Sequence, residues 1–401
     1  MDSHITDKRY ILIDYIRRCG SVSRLDISQH FGMNAATVGN AINRLIEQNI
    51  LQEERGNDKV RSHPGRPKVN LCLNPDAAYY LSIIFSRDFL NVGIADYTGR
   101  ILTLESMEFD DKVTRNIVIR NILDLSDRIL SSSDISRDKI KGIGAGCPGK
   151  VDSLKGVCLE YSGLKKWQDV PLSDILSAHF DLPTYIDSSN NCFALGEVFV
   201  SHSHHASDIA AILIRNGISM GLIKDRKLYS GALPGSGELG HIIINGKKKC
   251  TCGRRGCLET AVSGWVLPGK IKKAAVKSKD SYWLDIINSN KKISPEMVCD
   301  LANSGNALAS EVLVEMFSHL ACALHNVHQV LHLEAFVIHG RFNGAAGLIK
   351  KTIEDFFVEN KTAMSWNIPE IFIPEDSVSI GLSGAALLPA IKQIPADCEE
   401  F

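Results

Sequence analysis

The stretch GELGHIIINGKKKCTCGRRGCLE, residues 237–259, holds one histidine and three cysteines at close spacing. The spacing is H-x8-C-x-C-x4-C, and the four residues are His241, Cys250, Cys252 and Cys257. Three thiolates and one imidazole match a closed tetrahedral zinc site, and the interspersed glycines permit the tight turns that bring such ligands together. The pattern therefore predicts a structural zinc ion, because no ligand position is left for water. The alternative is a set of reduced, buried cysteines.

The composition indicates a soluble globular protein of two or three domains. The chain has 401 residues, of which 44% are hydrophobic and 23% are charged, and this length exceeds what one ordinary core supports. No uninterrupted apolar run reaches the roughly 18 residues of a membrane span, and the N-terminus lacks the pattern of a signal peptide. We therefore expect a cytoplasmic protein without a membrane partner. In a reducing compartment, clustered cysteines favour metal over disulfides.

The charge is unevenly distributed along the chain. Residues 1–70 carry 11 Lys and Arg against 8 Asp and Glu, whereas the whole chain has a net charge of −1. A basic segment on a more acidic body indicates an anionic partner at the N-terminus. The excess is small, so charge alone does not establish DNA binding.

The N-terminal segment has the pattern of a helix-turn-helix. Residues 7–19 are expected to form a helix, and Ser23, with an acid three residues later, can cap a second helix that stops at Gly32. Asn34 can cap a third helix that runs to about Gln48. Two helices joined by a short turn at a glycine are typical of this motif, whose second helix normally lies in the major groove.

The outward face of that last helix is small or polar, which suits an approach to phosphates and base edges. These positions are Asn34, Ala35, Thr37, Asn40, Asn43 and Arg44. The segment 59–68 adds four cations and no acid, namely Lys59, Arg61, Arg66 and Lys68. We interpret it as the tip of a wing that contacts phosphate. Residues 1–70 are therefore predicted to be a winged helix-turn-helix that binds a double-stranded DNA operator; the alternative is a three-helix interaction module with a solvated basic loop.

From Tyr79 onward, strand-like and helix-like stretches alternate, which indicates an α/β architecture. Strands are predicted at LSIIFS, LNVGIADYTGRILTL, KGIGAGCPG, PTYID, 207–215, 218–224 and AFVIHG. Helices are predicted at 113–131, 171–180, from Asn190, at 308–330 and from Ser383. Ligands of such folds collect at the strand ends, where the glycine-rich loops stand here.

Several of these motifs resemble those of the ROK family, which is named for repressors, open reading frames and kinases. The resemblance is carried by GELGH (237–241) with CTCGRRGCLE (250–259), by GIGAGCPGKVD (142–152) and by SSNNCFALGE (188–197). The junction GRP-x-V-x-L-x-LNP (65–75) is similar to the repressor branch, which includes xylose and N-acetylglucosamine repressors.

The resemblance covers residues 71–401 and implies an actin-like, two-lobed sugar-kinase fold that assembles as a homodimer or homotetramer. It places the lobes at approximately 79–187 and 188–380, with a C-terminal helix that returns to the first lobe. It also implies a set of sugar contacts, which are Gly149, Lys150, Ser162, Ser188, Ser189, Glu238, His241 and Glu259. Carboxylates accept hydrogen bonds from vicinal hydroxyls, and a zinc-bound histidine can donate its other ring N–H.

Three features of ROK kinases are altered in this sequence. The phosphate loop D-x-GG-T is replaced, with Ile84, Ser86, Arg87 and Asp88 at its Asp, Gly, Gly and Thr positions. Side chains at the glycine positions obstruct the close approach of the backbone to phosphate. Ser189 stands at the position of the catalytic aspartate, and a neutral hydroxyl cannot act as that general base; Asp187 is the one nearby substitute. The third change is in AFVIHGRFNG, where His339 and Arg341 flank Gly340.

These observations predict a sugar-responsive DNA-binding transcriptional regulator, a repressor of carbohydrate-utilisation genes, with no kinase activity. Sugar binding between the lobes would change the spacing of two DNA-binding heads in an oligomer. The first alternative is an active ATP-dependent sugar kinase with an N-terminal regulatory module. The second is a constitutive DNA-binding or scaffold protein whose cleft is vestigial.

Overall fold

The computed structural model describes residues 8–55, 69–110, 112–201, 206–244, 246–361 and 368–392. The predicted wing-tip cations Lys59, Arg61, Arg66 and Lys68 lie outside the described residues. The N-terminal head consists of α1 (Lys8–Cys19), β1 (Val22–Ser23), α2 (Arg24–Phe31), α3 (Ala35–Glu47), β2 (Leu51–Arg55) and β3 (Val69–Leu73). Its strands form an antiparallel sheet in the order β1-β3-β2. Helices followed by this small sheet make a winged helix-turn-helix.

Local capping sets the helix boundaries of the head. The Ser23 hydroxyl accepts from the backbone N–H of Asp26, whose carboxylate accepts from the backbone N–H of Ser23, so both halves of a capping box are present. Gly32 ends α2 with φ of 61°, a left-handed conformation that favours glycine. The Asn34 side chain accepts from Thr37 N at the start of α3. The predicted domain boundary at residue 70 falls inside β3, which pairs with both other strands up to Leu73.

The first lobe is built on a five-stranded sheet. Its elements are β4 (Tyr79–Phe85), β5 (Phe89–Asp96), β6 (Ile101–Glu108), α4 (Arg115–Ser132), β7 (Ile140–Cys147), β8 (Lys150–Asp152), β9 (Val157–Glu160), β10 (Gln168–Val170), α5 (Leu172–Phe180) and β11 (Thr184–Ser188). The sheet order is β11-β7-β4-β5-β6, and β8, β9 and β10 form a small separate sheet. Since β4, β7 and β11 are parallel, their carboxyl ends meet at one edge of the sheet.

The second lobe begins with a helix that leaves that edge. Its elements are α6 (Ser189–Gly196), a π-helical segment (Glu197–Ser201), β12 (Ile209–Ile214), β13 (Ile218–Lys224), β14 (Lys227–Tyr229), α7 (Glu259–Val262), α8 (Leu267–Ser278), α9 (Ser281–Asn288), α10 (Pro295–Asn303), α11 (Ala307–Leu331), β15 (Ala335–Gly340), α12 (Ala346–Glu359), β16 (Glu370–Phe372) and α13 (Ser377–Lys392). Its sheet has the order β14-β13-β12-β15-β16. Two lobes, each with its own five-stranded sheet, make the actin-like fold.

Helix α13 packs closely between α6 and the sheet of the first lobe. A Cβ at Gly384 would lie 1.6 Å from the Cys192 carbonyl oxygen, and one at Gly144 would lie 1.8 Å from that of Ala385, so both positions require glycine. The predicted start of this helix at Ser383 was wrong, because the helix begins six residues earlier, at Ser377. The Asp376 carboxylate accepts from Ser379 N and stabilises that first turn.

Helix α11 is long and apolar enough to cross a membrane by length and composition. In this fold 56% of its most apolar window is buried. Met316, Phe317, Leu320 and Leu324 on this helix are fully buried in the core of the second lobe. A core helix of this kind passes the same test as a membrane span, so the helix is explained by packing within the lobe.

Candidate functional site

The four predicted metal ligands lie together at the surface of the second lobe. Their ligand atoms all lie within 4.8 Å of one another. The Cys252 and Cys257 sulfurs are 3.7 Å apart, and His241 Nδ1 is 3.8 Å from the Cys250 sulfur. A tetrahedral zinc ion with Zn–S bonds of about 2.3 Å requires sulfurs about 3.8 Å apart. The donor set and its spacing therefore fit zinc.

The environments of these thiols differ. Burial raises the pKa of Cys257 to about 12, so its thiolate needs a compensating cation. A hydrogen bond from the Arg254 backbone lowers the pKa of the exposed Cys252 to about 6. The cluster is thus closed toward the protein and open toward solvent at Cys252.

The eight predicted sugar contacts line one cleft between the lobes, which belongs to a cavity of about 2690 Å³ that extends to α1 and α2 of the head. Ordinary ligand pockets enclose roughly 300–1,000 Å³, so the cavity is larger than a single sugar requires. The first lobe contributes Gly149, Lys150, Ser162 and Ser188, and α6 contributes Ser189. The second lobe contributes Glu238, His241 and Glu259.

The turn between β7 and β8 brings the first-lobe backbone to the cleft. Gly149 has φ of 77°, and a Cβ there would lie 2.1 Å from the Glu160 carbonyl oxygen. The Lys150 ammonium is half-exposed and 3.8 Å from the Glu160 carboxylate. Glycine is therefore required at this turn, and the lysine stays free to move toward a ligand in the cleft.

The zinc cluster and the cleft share His241. Its Nδ1 faces the cysteines, and its Nε2 lies 3.7 Å from the Glu238 carboxylate. Glu259 begins α7, where its carboxylate accepts from the Thr251 hydroxyl at 3.5 Å. Burial raises the pKa of Glu259. Two carboxylates and one imidazole thus converge where sugar hydroxyls can be bound.

The start of α6 presents a buried hydroxyl to the cleft. Ser189 is 8% exposed, and its Oγ finds no hydrogen-bond partner in the part of the chain that the structure describes. A buried polar group of this kind ordinarily has a partner, so a ligand hydroxyl is a suitable one. Asp187 lies nearby, but its Oδ1 already accepts from Ser188 N at 2.7 Å and Asn191 Nδ2 at 2.8 Å.

Asp187→Asn is expected to stabilise the protein more at high pH than at low pH. Burial raises the pKa of Asp187, so the folded protein holds this proton more tightly than the unfolded chain. As pH rises above the ordinary aspartate value, the unfolded chain loses its proton first and the contribution of Asp187 to stability falls. The amide does not titrate and keeps an acceptor oxygen. Thermal unfolding from about pH 4 to about pH 8 measures the difference.

The exposed Asp181→Asn is the matched control for this measurement, since it makes the same chemical change at the surface. An identical stability difference at both ends of the pH range would contradict the burial argument.

On the side of the cleft where a kinase would hold nucleotide, the altered loop contacts residues from both lobes. The Ser86 hydroxyl lies 3.1 Å from the Tyr161 hydroxyl, to which Arg87 N donates at 3.4 Å. The backbone N–H that would contact phosphate is thus already engaged. From the other lobe, the Arg215 guanidinium lies 4.1 Å from the centre of the Phe89 ring. This cation–π contact holds the lobes together across the altered loop.

The third altered segment, around Gly340, forms contacts within the protein. His339 is fully buried, with Nε2 3.0 Å from the Glu197 carboxylate and Nδ1 3.2 Å from the Ser377 hydroxyl. Arg341 forms a bidentate pair with Glu296 at 2.7 and 2.9 Å. These side chains join parts of the second lobe. Sequence reasoning did not find Tyr161 or Arg215, because only folding brings them to Ser86 and Phe89.

The predicted DNA-facing positions lie along the outer side of α3. Asn34, Ala35, Asn40, Asn43 and Arg44 are exposed, and Thr37 is half-buried. The structure adds a cation that the sequence analysis missed, since Arg24 Nη2 donates to Asn43 Oδ1 at 3.2 Å. Arg24 also pairs with Glu53 at 2.8 Å. The face is therefore open, polar and free of carboxylates along the helix until Glu47.

Comparisons with known proteins agree with this arrangement. Residues 80–391 match the ROK family model. The xylose repressor of Caldicellulosiruptor bescii is 29% identical over 79% of this chain and 78% of its own length. The DNA-binding transcriptional repressor Mlc of Escherichia coli is 24% identical over 86% of this chain and 83% of its own. The glucokinase of Thermotoga maritima is 25% identical over 67% of this chain and 84% of its own.

Two solved structures show the same fold. A ROK family transcriptional regulator, described as a homologue of E. coli Mlc, superposes with a TM-score of 0.76 and 22% identity over 96% of this chain and 95% of its own. A ROK family glucokinase from Streptomyces griseus, solved with glucose and AMPPNP, has a TM-score of 0.69 and 21% identity over 78% of this chain and 99% of its own. The match to the regulator thus includes the head, whereas the match to the kinase covers only 78% of this chain.

Proposed function

The chain belongs to the ROK family, and we propose that within it this protein is a sugar-responsive transcriptional repressor without kinase activity. One observation carries the proposal. A head with an open, polar helix face is joined to a sugar cleft whose altered phosphate loop is bonded to Tyr161 and lies beside the Arg215–Phe89 contact. The repressors among its relatives support the regulatory role.

The DNA-binding part of the proposal places α3 in the major groove of an operator. Asn40, Asn43 and Arg44 would face base edges and phosphates there. We propose that the protein acts in the cytoplasm as a homodimer or homotetramer, so its operator would be a two-fold repeat. The predicted division into a head of residues 1–70 and an effector body of residues 71–401 would shift to the end of β3 at Leu73, because that strand pairs with β1 and β2 of the head.

The sugar-binding part rests on the convergence of acceptors and donors in the cleft. Glu238 and Glu259 would accept from vicinal hydroxyls, and His241 Nε2 would contact a further one. His241, Cys250, Cys252 and Cys257 would hold a structural zinc ion. When bound, zinc supplies a fixed positive charge that keeps the imidazole and the following turn in place. Regulation then requires that the sugar bind open and closed lobe arrangements with different affinity.

The test uses the full-length protein and a random DNA library. We expect selection to enrich duplexes that contain a two-fold repeat, and at least one of D-xylose, D-glucose and N-acetyl-D-glucosamine to change the affinity for the selected duplex. Arg44→Ala should weaken this binding by about tenfold or more, since a base contact contributes roughly 1–3 kcal/mol. Arg128→Ala, on the outer surface of α4, is the control. Failure to enrich any duplex would refute the DNA-binding role, and an affinity unchanged by every sugar would refute the sugar response.

ATP-dependent phosphorylation of these sugars is expected to be absent. Ser189→Asp, which restores the carboxylate, should also give no turnover, because the phosphate loop still has side chains at both glycine positions and its Arg87 N–H still donates to Tyr161. A coupled ADP-release assay measures both proteins, with a ROK glucokinase as the positive control. Wild-type turnover that disappears in Asp187→Asn would instead establish the kinase alternative.

A further inference from the structure

Helix α1 of the head contacts both lobes of the body. We infer that this contact surface, which we call the seat, transmits the change in lobe arrangement on sugar binding to the DNA-binding head. The inference rests on the proposed function. It assigns the transmission to three contacts of neighbouring residues on α1, made by Arg17, Arg18 and Asp14.

The first contact joins α1 to the first lobe. Arg17 is only 5% exposed, and its Nη2 donates to the Tyr97 carbonyl oxygen at 3.4 Å. The guanidinium also lies 5.2 Å from the centre of the Tyr97 ring. Tyr97 directly follows β5 in the sheet of that lobe. A buried arginine held by a carbonyl and an aromatic face fixes α1 to the first lobe at this point.

The second contact joins α1 to the far end of α6. The Arg18 guanidinium lies 5.3 Å from the centre of the Phe199 ring. Phe199 belongs to the π-helical segment Glu197–Ser201, which continues α6 without a break. The other end of α6 is Ser189, whose buried hydroxyl faces the cleft. A helical rod of roughly 20 Å therefore connects the cleft to the head.

The π-helical segment is anchored to the second lobe. Its first residue, Glu197, lies 3.0 Å from His339 of β15, and neither side chain is exposed. His339 in turn lies 3.2 Å from the Ser377 hydroxyl at the start of α13. Val200, next to Phe199, lies against Gly99 of the first lobe, so the π-helical segment is held by both lobes. π-helical turns inside helices are frequent at functional sites.

The third contact adds a charged group from the second lobe. Asp14 forms an ion pair with Arg18, one turn along α1, and both line one cavity with Arg226 of the turn between β13 and β14. Burial raises the pKa of Asp14, as expected for a carboxyl covered by the body. Arg17 thus contacts the first lobe, Arg18 contacts the segment that continues α6 from the cleft, and Asp14 faces the second lobe. A movement of α6 or of the β13–β14 turn relative to Tyr97 therefore alters these contacts.

Hydrogen–deuterium exchange of the full-length protein tests the seat directly. The probes are the same three sugars, each alone. In the wild type, a sugar that slows exchange in the cleft peptides should also change exchange of the α1 amides at least threefold. Arg17→Ala should keep the cleft response and lose the α1 response. Arg17→Lys should lose most of it as well, because an ammonium cannot stack flat on the Tyr97 ring.

Arg128→Ala is the matched control and should respond as the wild type does. Phe199→Leu keeps an apolar side chain at the second contact and serves if Arg17→Ala does not fold; it too should lose the α1 response. The inference is overturned if α1 exchange is unchanged while the cleft is protected, or if Arg17→Ala retains the α1 response. A cleft that none of the sugars protects counts against both this inference and the sugar response.

Binding to the selected duplex gives a second readout. The sugar should change the wild-type Kd at least tenfold, and Arg17→Ala should reduce that factor to below threefold while its Kd without sugar stays within threefold of wild type. An undiminished factor would overturn the coupling role of Arg17. If no duplex is ever selected, the repressor proposal fails, but the exchange experiment still decides whether the seat responds to sugar.

Discussion

Cys257→Ser is expected to remove the bound zinc entirely, lowering the content from about one ion per chain to none. Cys257 is fully buried between its partners, so no solvent-exposed group can replace it. Structural zinc sites contribute about 10–16 kcal/mol of apparent binding free energy in small peptides. The loss here should destabilise the second lobe by several kcal/mol and lower its Tm. Elemental analysis and thermal unfolding measure the two effects.

The same variant should also lose sugar binding. His241 is both a zinc ligand and a cleft residue, and Glu259 follows Cys257 by two residues. Without the ion, the imidazole and the α7 turn lose the constraint that orients them. Cys299→Ser is the control, since Cys299 is a buried thiol that contacts the Phe342 carbonyl away from the cluster. Wild-type protein free of zinc after growth with added zinc would refute the site.

Glu259→Gln is expected to weaken sugar binding by roughly 10- to 100-fold, since a hydrogen bond to a charged group contributes about 1.5–3 kcal/mol. Glu259 is 8% exposed and lines the cleft. The amide keeps the volume of the side chain but provides only one acceptor oxygen. Its other terminal group is an NH2, which donates hydrogen bonds and cannot accept one from a sugar hydroxyl. Isothermal titration with the sugar that most raises the Tm measures the loss.

Two controls separate sugar contact from damage to the lobe. Glu259→Gln should retain its zinc, unlike Cys257→Ser. Glu105→Gln, on the outer surface of the first lobe, should bind sugar as the wild type does. If Glu259→Gln binds sugar with unchanged affinity, the ligand does not contact this carboxylate, and the proposed position of the sugar is wrong.

Short-range patterns predicted much of the head and of the metal cluster. The capping roles of Ser23 and Asn34 were confirmed, because a cap and its helix are separated by only a few residues. The predicted metal ligands span 17 positions, from His241 to Cys257, and the structure brings their ligand atoms together. Helices α8, α9, α10 and α12 were not predicted, although their buried apolar residues recur at helical spacing.

The sequence by itself determined the family, and it predicted the two-part organisation and eight residues that line the cleft, because these follow from motifs whose members are close along the chain. Only the tertiary structure decided which residues the altered phosphate loop contacts and where the head meets the body. Ser86 meets Tyr161 from 75 residues away, and Arg17 meets Tyr97 from 80 residues away. Such contacts depend on how whole elements are placed relative to one another, and no local spacing encodes that placement.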